Sequence, residues 1–254
     1  MNKFIPRLIG CVIVKEGLSC QSYKFKKFYP LGSIKSSTEY FLKWGVDEIL
    51  IMNIDGNLIN IKSLAASIKN INIPICYGGG VTTVEDAKKL LDVGVDKISL
   101  NNLAINCTNK ISDFVNKFGS QFIGASIDLI KKKNQYKIFC SKKKSIIHKD
   151  LNKFFFDLYT AGVGEIIIQS VDKDGTGTGY DINLVKKIYK STTLPILICG
   201  GAGSSNEVLK VAFKYKINPI VGNRLLHVEN SAVYFKNEIF KKTNISRTNP
   251  FYKS

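Results

Sequence analysis

The sequence predicts an α/β protein, a closed (βα)8 TIM barrel with an internal half-barrel duplication. Eight short runs rich in Ile and Val recur along the chain, at residues 8–14, 48–52, 73–77, 97–100, 122–127, 165–168, 194–199 and 219–221. Charged first residues and the serines at 99 and 126 apart, each is continuously apolar rather than alternating, the pattern of parallel strands covered on both faces. Helical spacing fills the segments between them, as in Val84, Ala87, Leu90 and Leu91, or Leu151, Phe154, Phe155 and Leu158. Finally, Ile73-Pro74-Ile75-Cys76-Tyr77-Gly78-Gly79-Gly80 aligns with Leu194-Pro195-Ile196-Leu197-Ile198-Cys199-Gly200-Gly201 at the offset that separates Pro74 from Pro195, and the register continues to Asn102-Leu103 and Asn223-Arg224. An open doubly wound sheet also alternates β and α, but eight units and a half-repeat favour closure.

The first run ends in Val12-Ile13-Val14-Lys15 and enters a connection over 15–32, long for a βα loop and expected to form a mobile lid. The second ends at Asn53, the third in Gly78-Gly79-Gly80 and the fourth at Asn101-Asn102. The fifth closes on Ser126-Ile127-Asp128, which puts Asp128 on the rim; the insertion that follows over 129–147 carries two lysine clusters and reads as a small hairpin or a solvated loop. After the sixth comes Ser170-Val171-Asp172-Lys173-Asp174-Gly175-Thr176-Gly177-Thr178-Gly179, after the seventh Gly200-Gly201-Ala202-Gly203, and after the eighth Gly222-Asn223-Arg224. Neither a linker nor a composition shift divides the chain, so residues 1–254 are expected to form one domain, with a peripheral tail over 243–254.

Composition narrows the function. The net charge of +17 rests on 34 lysines and only three arginines, without the arginine forks and interleaved aromatics that read nucleic acid. Nucleic acid is therefore excluded as a partner, while the lysine excess favours an anionic substrate. No apolar run reaches the roughly 18 residues of a membrane span, and the N-terminus lacks the apolar core of a signal peptide, so a cytoplasmic protein without a membrane partner is expected. The six cysteines, at 11, 20, 76, 107, 140 and 199, include no CxxC pair and read as buried free thiols rather than metal ligands.

Glycines ahead of a helix let backbone amides approach an anion, and the helix dipole adds to the attraction. Two such cradles half a chain apart point to a substrate with phosphate at both ends, with Asn101 and Asn102 closing one pocket and Asn223 and Arg224 the other. His148 and His227 read as surface or packing residues, so acid–base chemistry falls to the carboxylates Asp128, Asp172 and Asp174. Arg7, Glu48, Lys97 and Glu165 begin the first, second, fourth and sixth runs. Pointing inward, they would form a charge-balanced gate at the bottom of the barrel.

These residues resemble the cyclase-subunit family of imidazole glycerol phosphate synthase over about 7–240. The signatures are Tyr77-Gly78-Gly79-Gly80, Asp96-Lys97-Ile98-Ser99-Leu100-Asn101, Phe118-Gly119-Ser120-Gln121, Ser126-Ile127-Asp128, Gly164-Glu165-Ile166, Gly179-Tyr180-Asp181, Gly200-Gly201-Ala202-Gly203 and the 170–176 segment. The resemblance implies a heterodimer in which a glutaminase subunit docks on the N-terminal face and sends ammonia through the barrel. There it meets a bisphosphorylated ribulosyl aminoimidazole carboxamide, which is cleaved and cyclised to imidazole glycerol phosphate in histidine biosynthesis, without a cofactor. It further implies that Arg7, Glu48, Lys97 and Glu165 are the ammonia gate, that Asp96 and Gln121 belong to the glutaminase interface, and that Asp128 is a catalytic general acid. Gly79, Gly80, Asn101 and Asn102 match the first phosphate site; Gly201, Gly203, Asn223 and Arg224 match the second, with Asp174 and Gly175 also in the substrate-binding set.

Three departures mark this chain. Ile13 stands where the family carries its other catalytic aspartate, Asn53 where an aspartate ends the second strand, and Gln21 where the lid lysine falls, although Asp55, Lys15 and Lys24 lie nearby. Ile13 carries no proton, and loss of a positioned base costs about 10² to 10⁴ in rate. The alternative is therefore a divergent second-copy branch that passes ammonia to a sugar amidotransferase of surface-glycan biosynthesis, or a non-catalytic activator of the glutaminase.

Overall fold

In a computed structural model, which describes residues 4–222 and 231–243, eight parallel strands close into a barrel. They are β1 (Ile9–Lys15), β4 (Glu48–Asn53), β5 (Ile75–Gly78), β6 (Lys97–Leu100), β7 (Ile123–Lys132), β10 (Glu165–Ser170), β11 (Ile196–Cys199) and β12 (Asn218–Val221). Each is paired with its neighbour, and β7 pairs with β10 as β12 pairs with β1, which leaves the barrel without an edge. The helices around it are α1 (Ile34–Lys43), α2 (Ile61–Ile68), α3 (Val84–Asp92), α4 (Asn102–Asn106), α5 (Ile111–Phe118), α6 (Leu151–Thr160), α7 (Ile182–Ser191), α8 (Ser205–Tyr215) and α9 (Ser231–Thr243).

The eight expected strands are all present, and the shifts at their ends have local causes. Proline has no amide to give to a ladder, so β5 and β11 begin just after Pro74 and Pro195. Their carbonyls still serve the neighbouring strands, each accepting an amide, from Ile49 and Ile166, at 2.9 Å. The duplication is thus one of structure: β5 and β11, like β6 and β12, begin 121 residues apart, at Ile75 and Ile196 and at Lys97 and Asn218. The expected lid is a hairpin of β2 (Leu18–Tyr23) and β3 (Lys27–Ser33), with β2 antiparallel to β1. The insertion after the fifth strand is also a hairpin, because β7 runs past the rim and pairs with β8 (Gln135–Cys140), which pairs with β9 (Ser145–Ile147).

Side-chain caps start most helices. Ser33, Asn60, Thr83, Asp150, Asp181 and Ser204 each accept the third helical amide of α1, α2, α3, α6, α7 and α8, worth about 1 kcal/mol apiece. The core lies in two layers. Outward strand residues such as Ile49, Ile51, Ile98 and Ile127 pack on the helices, while Ile9, Leu50, Cys76, Ile167, Leu197 and Ile220 fill the lumen. α1 sits directly on the backbone of β1, since a Cβ on Gly10 would lie 2.8 Å from the Phe41 ring. Gly10→Ala should therefore destabilise the fold by about 1–3 kcal/mol in urea unfolding, and Phe41→Leu in the same chain should recover part of the loss.

Candidate active site

At the C-terminal end of the barrel, alternation along β7 turns Gly124, Ser126 and Asp128 inward while Ile123, Ala125 and Ile127 face the helices. Asp128 is buried, and burial pushes its carboxyl up to about 7, against hydrogen bonds from Asn101 and Ser141 and with the charge of Asp174 adding to the rise. The Asn101 amide nitrogen lies 3.4 Å from Asp128 Oδ2 and 2.9 Å from the Ser126 carbonyl oxygen. A carboxyl titrating near neutrality can give or take a proton at physiological pH. Ser141, just past β8, is absent from the sequence reading because only the fold of the second hairpin brings it back over β7.

Asp174 has a different task. Burial raises its pKa, opposed by hydrogen bonds from Ser22 Oγ at 2.5 Å and the Phe25 amide at 3.1 Å, and by the Lys24 backbone. Lys24 and Phe25 form the β2–β3 turn with φ of 51° and 56°, left-handed values that cost roughly 1–2 kcal/mol each without glycine. Asp174 holds that turn. Gly175 completes the dock, since a Cβ there would fall 2.0 Å from the Ser22 carbonyl oxygen. Asp172, the other candidate carboxylate of this loop, accepts the Lys131 amide at 2.7 Å and so braces the second hairpin instead. Tyr136 of that hairpin donates to Asp181 at 2.8 Å.

The glycine cradles are formed by close backbone approach. A Cβ on Gly79 would sit 2.0 Å from the Asn53 carbonyl oxygen and one on Gly80 2.1 Å from Asn57, and both glycines have positive φ. Gly201 and Gly203 press likewise on the backbone of Gly179 and Gly177. One expectation changes here. The start of α3 is already satisfied by a capping box, with Thr83 capping the Asp86 amide and the Asp86 carboxylate accepting from Thr82 and Thr83. The uncapped end beside this cradle belongs to α4, whose N-cap Asn101 makes no side-chain cap bond and whose first residue is Asn102. Asn223, Arg224 and His227 lie outside the described residues, while His148 is exposed, as expected for a surface residue.

The three departures are placed clearly. Ile13 is half-buried on β1, opposite Met52 and Cys20. Asn53 is buried and shapes its loop, donating to the Asn57 carbonyl at 2.8 Å and accepting the Asp55 amide at 3.2 Å. Gln21 pairs with Tyr29 inside the hairpin, and Lys15 turns to Glu16 at 2.7 Å.

At the opposite end, the four strand-start charges meet. Arg7 reaches Glu48 at 2.5 Å and Glu165 at 2.7 Å, and Lys97 reaches the same carboxylates at 3.1 and 3.0 Å. Burial raises Glu48 above the usual carboxylate range despite both cations; at Glu165, less deeply buried, Lys97 and Arg7 outweigh burial and hold the carboxyl low. Asp96 and Gln121 are exposed around this ring, and the Asp96 carboxylate accepts the Ile75 amide at 2.8 Å.

The family described as histidine biosynthesis protein matches residues 7–231. The chain belongs to this family. Within it, the chain is 33% identical over 213 residues to imidazole glycerol phosphate synthase subunit HisF of Sulfurisphaera tokodaii, covering 81% of this chain and 86% of that protein. It is 31% identical over 246 residues to the HisF subunit of Campylobacter jejuni, covering 91% and 96%. It is also 32% identical over 235 residues to a Vibrio vulnificus protein provisionally named subunit hisF2, covering 91% and 86%. Among the described residues, no helix is long and apolar enough to cross a membrane and no group of three or more His, Cys, Asp or Glu is placed to hold a metal. The six cysteines are free thiols, with Cys20, Cys76 and Cys140 buried and the others half-buried.

The turn of the first hairpin is thus pinned by the Asp174 carboxylate. Asp174→Ala should speed tryptic cleavage at Lys24, Lys26 and Lys27 by about tenfold or more, since each lost hydrogen bond is worth about 1 kcal/mol, with an unchanged far-ultraviolet dichroism spectrum. Equal cleavage of variant and wild type would show that the turn is held by other contacts.

Proposed function

We propose that this barrel is the cyclase-type subunit of an imidazole glycerol phosphate synthase. It receives ammonia from a glutaminase subunit and uses it with a bisphosphorylated ribulosyl aminoimidazole carboxamide to form imidazole glycerol phosphate. The observation that carries this reading is the alignment of two unlike sites on one lumen: a closed ring of Arg7, Glu48, Lys97 and Glu165 at one end, and Asp128 between two glycine cradles at the other. In this reading Asp96 and Gln121 contact the glutaminase, and the ring admits ammonia. Gly79, Gly80, Asn101 and Asn102 hold one phosphate; Gly201, Gly203, Asn223 and Arg224 hold the other, with Asp174 and Gly175 closing the lid beside it.

Attack of neutral ammonia on a carbonyl needs a proton for the oxygen that leaves as water. Asp128, its carboxyl raised to about 7 by burial, supplies that proton in its protonated form and takes one back when ionised. Ile13 favours a second reading, since an apolar side chain on the strand-one rim supplies no base: the barrel then passes ammonia to a sugar amidotransferase or only activates the glutaminase.

Purified protein supplied with ammonium salt and the ribulosyl substrate decides between them. Turnover at constant free ammonia should fall as pH rises through about 7, because the acid form of Asp128 is lost, and Asp128→Asn should lower it by about 10² to 10⁴. A wild-type protein that stimulates the glutaminase yet turns over no ribulosyl substrate would establish the second reading.

A further inference from the structure

The lysines of the second hairpin take no part in the chemistry at the mouth, yet the fold gives them a definite place. Two cavities of about 540 and 720 Å³ flank the β7–β8 turn and share Asn134 of that turn and Asn183 of α7, so that they form one groove. Both volumes fall in the range of small-molecule sites, about 300–1,000 Å³. One wall is the hairpin, with Lys131, Lys133 and Lys137; the other is the 170–176 loop and α7, with Lys173 and Lys187. The lining includes neither Asp128 nor any cradle glycine, which sets the groove apart from the mouth.

Charge in this groove is one-sided. Asp150, Asp172 and Asp181 also line it, but each already accepts from the protein: Asp150 caps α6, Asp172 takes the Lys131 amide, and Asp181 takes the Tyr136 hydroxyl and caps α7. Lys149 is spent on the Ile105 carbonyl oxygen at 2.5 Å, and Lys173 gives one of its protons to Thr178 at 3.1 Å. The ammonium groups of Lys131, Lys133, Lys137 and Lys187 have no carboxylate, hydrogen-bond or ring partner among the described residues. Lys133 holds its place in the turn at a φ of 44°, a left-handed value that favours glycine, so the turn keeps a lysine against the preference of its backbone. Like charges gathered on two facing walls repel, and an anion between them removes the repulsion.

We propose that this groove is a binding site for a compact anion carrying at least two phosphate groups, separate from the glycine cradles and independent of the proposed function. Lysine binds phosphate as a point charge with three rotatable donors, and Asn134 and Asn183 offer carboxamide donors where the two cavities meet. Two phosphates answer the lysines of both cavities, which a single phosphate would leave half neutralised. The ligand needs no ring or base: no Phe or Trp lines the groove, and Tyr136 and Tyr180 are buried, with their hydroxyls bonded to Asp181 and to the Ile220 carbonyl oxygen. A bound anion bridges the hairpin to the 170–176 loop and α7. The hairpin carries Ser141 to Asp128 and the loop carries Asp174, so the ligand braces two supports of the mouth from outside it.

Inorganic triphosphate is the probe, titrated calorimetrically into the purified chain at fixed ionic strength. Wild type should bind it at least about tenfold more tightly than orthophosphate, because linked phosphates engage both cavities at once. Lys131→Gln with Lys133→Gln, and Lys137→Gln with Lys187→Gln, should each weaken triphosphate binding by about tenfold, the loss of two exposed ion pairs, with an unchanged far-ultraviolet dichroism spectrum. Lys62→Gln with Lys69→Gln, the same change of charge at α2, should leave binding within about twofold of wild type, since distant charges are screened. Wild-type affinity in the folded groove variants, or an equal loss in the α2 pair, overturns the site. Orthophosphate binding as tightly as triphosphate overturns the requirement for two phosphates, and hexaglutamate displacing triphosphate at equal affinity overturns the phosphate assignment in favour of an acidic protein segment. A groove that fails these tests leaves the proposed function standing, and a chain that turns over no ribulosyl substrate leaves the groove standing.

Discussion

Four charges in the bottom of the lumen govern how this barrel is built. Buried charges persist only when paired and hydrogen-bonded, and Glu48, 1% exposed, satisfies that condition because Lys97 reaches it from β6 and Arg7 from the segment before β1. Glu165 is bound by the same two cations. The ring therefore ties β4, β6 and β10 to the segment leading into β1, elements separated in sequence by 41 to 158 residues. Removing one member would leave one charge of the ring uncompensated, with losses of up to about 3–5 kcal/mol, as for broken buried pairs. The closed sheet and the charged floor support each other: closure brings the four together, and their pairing holds the strand ends in register.

The upper face is held by contacts of another kind. Its loops are brought together by backbone against backbone at Gly79, Gly80, Gly175, Gly201 and Gly203, where any Cβ would lie within 2.3 Å of a neighbouring main-chain atom. Asp174 fastens the first hairpin to the same framework. The mouth is consequently a rim of glycine contacts crossed by one hairpin, paired with β1 along β2 and fastened at its turn by Asp174.

Much of this was legible in the sequence, and what was not shares one cause. Continuous apolar runs revealed all eight barrel strands, because burial on both faces leaves a signal within each run. The ring was legible because its members occupy the same place in four strands, so the fold class alone implied their meeting. The role of Asp174 was not, since its partners Ser22 and Phe25 lie about 150 residues away and the turn they form has no glycine to announce it. Ser141 was hidden similarly by the hairpin that carries it back over Asp128. At α3 the glycine-plus-helix pattern did not disclose that Thr83 and Asp86 cap their own helix, and local side chains of that kind compete with any ligand for the same amides.

Ile13 and Asp128 together bear on what the barrel does. A subunit that only docked on a glutaminase would have no use for a carboxylic acid buried at the far end of the lumen, where burial, with the charge of Asp174, moves its titration to about 7 against two hydrogen bonds and where an apolar side chain would pack at lower cost. Asn101 spends its amide on the same carboxyl and on the Ser126 carbonyl, and Ser141 is brought from another hairpin to join it. Three elements are thus arranged around one acid. The two hydrogen bonds favour the ionised carboxylate while burial and Asp174 favour the acid, and the balance leaves a group able to exchange protons at neutral pH, which a passive conduit does not need. In the proposed cyclase reading, the apolar side chain at 13 leaves Asp128 as the proton carrier of the rim, so the acid half of the chemistry falls to Asp128 while the base half must come from its ionised form or from the substrate itself.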